Sequence, residues 1–168
     1  MRDKKSEQRG LFTAVCVVGA LCAAAFILLL VCIKVTSAPR FEPPAFEAAA
    51  QEGIPTVPEE LGWSELWQEG MEFKVGICGV VHVTNGTAEV YFTNVEGDAW
   101  LKLRVLDEQG NILGETGLVR ENMYVRTVQL SVPVHDKQPV SMKVMAYEPE
   151  TYQSLGAVAL NTTLAVEK

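Results

Sequence analysis

From Met71 onward, apolar and polar side chains alternate along the chain. Met71, Phe73, Val75, Ile77, Gly79, Val81 and Val83 fall on one side of an extended backbone. Glu72, Lys74, Gly76, Cys78, Val80, His82 and Thr84 fall on the other. A period of two marks a half-buried strand, because successive side chains point to opposite faces. The stretch 71–84 is therefore expected to form one strand. Asn85-Gly86 follows it and suits a type I′ turn, which needs positive φ at both central residues. That turn would set Thr84 opposite Thr87, Val83 opposite Ala88, Val81 opposite Val90 and Gly79 opposite Phe92. Apolar residues then meet apolar residues or glycine along one face, which pins the register.

The same period recurs to the end of the chain. Ala99, Leu101, Leu103 and Val105 alternate with Trp100, Lys102, Arg104 and Leu106. Residues 107–111 read as a hairpin loop with Gly110 in the left-handed region. Ile112–Thr116, Met123–Val132, Val140–Tyr147 and Leu155–Val166 supply further strands. About seven strands with a turn every 8–12 residues predict a mainly β fold, an antiparallel β-sandwich over residues 71–168.

The pattern ahead of this domain is different. Leu11 to Ile33 is a run of 23 residues without a charge. As a helix it would reach roughly 34 Å, enough for a hydrocarbon core of about 30 Å. It is longer than the apolar run of a signal peptide, and Pro39 follows the weak Thr36-Ser37-Ala38 cleavage site. A single transmembrane helix over 11–33 is the expectation. Arg2, Lys4, Lys5 and Arg9 precede it, against Lys34 and Arg40 after it. The positive-inside rule then makes residues 1–10 a cytoplasmic basic tail and the rest extracytoplasmic. Cys16, Cys22 and Cys32 read as lipid-tolerant hydrophobes within the span. The pairs Gly19/Ala23 and Ala20/Ala24 permit close helix approach and a helix-mediated dimer.

Residues 34–70 hold five of the eight prolines and are expected to form an extended linker with a short helical turn over Ser64–Glu69. On that turn Trp63 and Trp67, four apart, would share a face. They would serve either as a docking motif or as a lid on the adjacent domain.

The runs Leu106–Leu113, Tyr124–Leu130 and Val140–Pro149 resemble immunoglobulin-like or fibronectin-III-like domains. The layout is similar to small single-pass envelope proteins of Gram-positive bacteria with one such domain outside the membrane. The resemblance implies a binding or scaffolding role. It carries over no functional residues. With Cys78 the only cysteine after the span, the inter-sheet disulfide of antibody domains cannot form.

Charge and chemistry narrow the function. A net charge of −7 argues against a nucleic-acid partner, which needs a Lys/Arg excess. The sequence has no HExxH, GxSxG, Walker or CxxC motif, and Cys78 and His135 do not follow the sortase order of His, Cys and Arg. A non-catalytic protein without cofactor or metal is expected. Gly10 before Leu11-Phe12-Thr13 also resembles a prepilin site, but Val15 stands where a glutamate is expected, and Pro39 would break the continuing helix. Cys78 reads as a structural cysteine, and His82 is expected to face Glu89 across the hairpin. Asn85-Gly86-Thr87 and Asn161-Thr162-Thr163 match the glycosylation sequon.

The leading expectation is a membrane-anchored scaffold engaging another envelope protein, with the bilayer held through Leu11 to Ile33. A carbohydrate-binding module is the alternative, and a pilin-like subunit a lesser one. The candidate partner-binding residues are Trp63, Trp67, Tyr91, Trp100, Tyr124 and Tyr152, with Tyr147 beside them. Three aromatics in one exposed row would favour glycan, and scattered burial would favour protein.

Overall fold

The computed structural model describes residues 41–67 and 69–167, with seven residues of the preceding segment. Those seven (Val17, Gly19, Cys22, Ala23, Ala24, Phe26 and Ile27) are helical and exposed. The basic tail and the rest of the expected span lie outside the described residues. Among the described residues no helix is long and apolar enough to cross a membrane. The chain divides into two units, Met1–Glu42 and Pro43–Lys168.

The second unit is mainly β, as the alternation predicts. Ten strands are described: β1 (Gln51–Glu52), β2 (Trp63–Leu66), β3 (Lys74–Cys78), β4 (Val81–Thr84), β5 (Thr87–Glu96), β6 (Trp100–Leu106), β7 (Ile112–Glu115), β8 (Met123–Gln129), β9 (Pro139–Tyr147) and β10 (Ser154–Val166). They form one curled sheet in the order β1-β8-β5-β4-β10-β9-β6-β7, with β3 also on β5 and β2 on β3. The two ends of the sheet turn their apolar faces to one core. Val75, Ile77, Val81, Val83, Val90 and Phe92 supply one side, and Leu101, Leu103, Val105, Met142 and Val144 the other. Each such side chain contributes about 1.5–3 kcal/mol on burial.

The Asn85-Gly86 turn forms where expected, with φ of 52° and 77°. His82 faces Glu89, Val83 faces Ala88 and Thr84 faces Thr87. The single strand expected over 71–84 is broken, however. Gly79 and Val80 leave the ladder, and their amides bond to the carbonyls of Gly62 and Leu61. Beyond the break Gly76 faces Thr93 and Val75 faces Asn94, so the expected pairing of Gly79 with Phe92 does not occur. The slip is two residues. An even slip keeps every side chain on its face, which is why Val75 and Ile77 remain in the core beside Val81 and Val83.

Two further expectations are corrected. The pairing is not wholly antiparallel. β10 runs antiparallel to β9 over most of its length and then parallel to β4 over Leu164–Val166. Nor is the segment before Met71 a free linker with a helical turn. Trp63–Leu66 is extended and pairs with Cys78–Val75, because β3 offers it an open ladder that outcompetes one turn of helix. A 3₁₀ turn, Glu59–Leu61, precedes it. Further upstream, Glu47 N–H donates to the Leu118 carbonyl and Leu118 N–H to the Ala45 carbonyl, and β1 pairs with β8. The domain therefore begins near Pro43, not at Met71. Residues 43–168 expressed alone should melt cooperatively. A piece starting at Met71 loses Leu61 and Trp63 and should be less stable by roughly 3–6 kcal/mol, at about 1.5–3 kcal/mol per side chain. Urea midpoints of the two pieces check this.

Candidate interaction surface

The outer face of β3 reads as polar, yet Gly76 and Cys78 are buried. Trp63 covers them. Its indole Nε1 donates to the Tyr91 carbonyl at 3.0 Å, and its ring lies over Gly76 so closely that a methyl group there would strike Cζ2. Leu61, Cys78 and Tyr91 form a second small core beneath this cover, with Val57 at its margin. Tyr91 is thereby removed from the surface at 6% exposure, which corrects its place among the candidate binding residues. The physical reason is a bulge in β5. Glu89 faces Thr127 and Phe92 faces Val125, so Val90 and Tyr91 both oppose Arg126. Tyr91 takes the left-handed φ of 43°, and Arg126 lies over its ring at 5.5 Å.

Burial pushes the Cys78 thiol up to about 12, with the charge of Glu89 adding to it. The thiol is thus protonated and shielded, as expected of a structural cysteine. With Cys16, Cys22 and Cys32 replaced by alanine, Cys78 should resist a thiol reagent until the protein unfolds. In Trp63→Ala it should label in the folded state, and stability should fall by about 3 kcal/mol, the low end for truncating a large aromatic.

Trp67 does not join Trp63. It is 59% exposed, and its Nε1 donates to the Met71 carbonyl at 3.3 Å. Tyr124 sits on β8, where its hydroxyl donates to Gln51 Oε1 at 2.6 Å. Trp100 and Tyr152 do come together, with ring centroids 5.3 Å apart in an edge-to-face contact. Tyr147 lies opposite Trp100 across the β6–β9 ladder. Phe46, which sequence reasoning left in the linker, packs on Trp100 at 4.7 Å with Arg120 over its ring at 3.8 Å. These rings are half-buried and stand edge to face. They staple the start of the domain to β6 more than they present a flat row to a sugar.

Several charged groups form ion pairs. Glu89 faces His82 across the hairpin as expected, and its carboxylate binds Arg126 at 2.8 Å. His82 Nδ1 lies 3.8 Å from Glu167. On the outer face of β6 and β7, Glu115 bridges Lys102 at 2.9 Å and Arg104 at 2.8 Å. Burial draws the Glu115 carboxyl upward, but the hydrogen bonds and charges of Lys102 and Arg104 outweigh it and hold it below its ordinary value. A depressed carboxylate stabilises the fold above its unfolded-state value and loses that contribution as pH falls through the folded one. The melting temperature of Glu115→Gln should lie below wild type at neutral pH. The gap should close in acid below the ordinary carboxylate range.

The feature that sequence reasoning missed is the edge of β10. From Thr151 to Val166 there is no charged side chain, and Ser154 to Ala157 are all exposed. Leu164 N–H donates to the Gln138 carbonyl, which continues the register of Thr163 with Pro139. Opposite residues in an antiparallel pair alternate between bonded and non-bonded. From Gly156 onward, even-numbered residues of β10 therefore bond to β9, and the backbone groups of Ala157, Ala159 and Asn161 point the other way. Glu167 N–H obeys the same phase by donating to the Val83 carbonyl of β4. Among the described residues, no strand takes the outward groups of 157–161. Inward, Val158 and Leu160 only half-cover the core beside them. The signal available in the sequence is this uncharged stretch, whose period-two pattern matches an ordinary strand. Comparison with protein-family models and with curated proteins finds no match for the chain.

Proposed function

We propose that this chain is a membrane-anchored, extracytoplasmic and non-catalytic binding module that engages protein rather than glycan. Residues 11–33 act as the anchor with the N-terminus in the cytoplasm, and residues 43–168 form an immunoglobulin-like sandwich held outside. The anchor rests on the uncharged run of 23 residues and its basic flank. The sandwich reading is supported by two stretches of sheet that share one core and are linked through β10.

The observation that carries the binding role is the open edge of β10. It is a row of backbone donors and acceptors beside half-exposed Val158 and Leu160, and such an edge is completed by an added strand, a protein ligand. The aromatic residues point the same way. Tyr91 is buried, Tyr124 sits on another strand with Gln51, and Trp100 and Tyr152 contact each other edge to face.

Crosslinking in native membranes, followed by affinity purification of the intact chain, should recover a protein held through residues 154–161. Recovery of uncrosslinked chain alone would count against the reading. Binding to envelope polysaccharide that is abolished by Trp100→Ala would replace it with the glycan reading.

A further inference from the structure

The residues along the open edge fit one another. Resting on the reading of this edge as a protein-binding strand, we propose that its occupant is the same strand of a second copy, paired antiparallel about a two-fold axis through Val158. The register follows from the backbone phase. Only odd-numbered residues face outward, so a bonded pair across the axis must join odd to odd. With the axis at Val158, Ala157 of one copy pairs with Ala159 of the other, and Val158 meets Val158. Gly156 then lies opposite Leu160, so the bulkier side chain meets the residue without one. Two outward residues per copy exchange both their backbone bonds, and the Val158 pair closes the gap beside the core.

Charge favours this occupant. The chain carries −7, and two copies repel through most of their surfaces. The 151–166 stretch has no charge of either sign, so copies can meet there without desolvating an ion. The usual guards of a solvent-facing edge are charges, prolines and bulges. Here a bulge occurs between Ser154 and Gly156, and residues 157–160 carry none of the three. Anchoring in one bilayer, where residues 11–33 act as proposed, raises the effective concentration of one copy around another, so a short interface suffices.

The test uses the full chain in detergent micelles or nanodiscs. Ala159→Pro removes an outward N–H and leaves the β9 ladder intact, since residue 159 donates nothing to β9. Wild type should sediment as a dimer. Ala159→Pro should be mainly monomeric at equal concentration, with its melting temperature within a few degrees of wild type. Independently, Val158→Cys in a background with Cys16, Cys22 and Cys32 replaced by alanine should form a disulfide-linked dimer on mild oxidation, whereas Thr127→Cys on β8 should not. This second readout decides the matter if Ala159→Pro proves unstable. A wild type that is monomeric, or a Val158→Cys yield no higher than that of Thr127→Cys, overturns the self-pairing. If such a monomer still captures a different protein and Ala159→Pro abolishes that capture, the self-pairing fails while the protein-binding function stands.

Discussion

A β-strand has two hydrogen-bonding sides, and the fold depends on how β10 uses both. Its even-numbered residues bond to β9 along most of its length. Its odd-numbered residues face away, and near the C-terminus they bond to β4 in parallel. One strand thus joins the two stretches of sheet that enclose the core. Asp136 secures the crossing, since its carboxylate accepts from the Val166 amide at 3.2 Å. The same geometry leaves the outward groups of Ala157 and Ala159 without a strand beside them, because β4 reaches only Leu164–Val166. Closure of the core and exposure of an edge are two results of one strand being longer than its second partner.

The segment before Met71 meets a different constraint. β3 places Gly76 and Cys78 on the outer face of the sheet, where Trp63 shields them from water. Trp63 fills the shallow space above Gly76, and its single polar atom is satisfied by the Tyr91 carbonyl. A large aromatic ring is stable in such a position only when its N–H finds an acceptor. Gly76 and Trp63 are thus complementary: the missing side chain of one makes room for the ring of the other. The buried and protonated Cys78 thiol is a consequence of that cover.

Polar groups elsewhere serve the fold. Asn94 is fully buried, and its Nδ2 donates to the carbonyls of Ala99 and Val119, tying β5 to the start of β6 and to the loop before β8. Thr116 Oγ1 accepts from the Leu103 amide at 3.0 Å, and Asp107 organises its loop through Asn111 and Gln109. Side chains engaged in this way hold the backbone in register.

Periodicity and turn residues determined the mainly β character, the Asn85-Gly86 turn, Gly110 in its loop and the inward faces of β4 and β6, because each depends on residues close in sequence. The long uncharged run at 11–33 and the acidic balance of the chain are equally local properties. Tertiary structure decided the rest. Tyr91 became buried because a bulge in β5 and a tryptophan 28 positions upstream meet over it. Ser64–Leu66 became a strand because β3 offered hydrogen bonds that a lone helical turn cannot match. Glu89 chose Arg126 over His82 because β8 lies on the other side of β5. The open side of β10 depends on which strand ends where, and no spacing within the strand itself records the length of its neighbour.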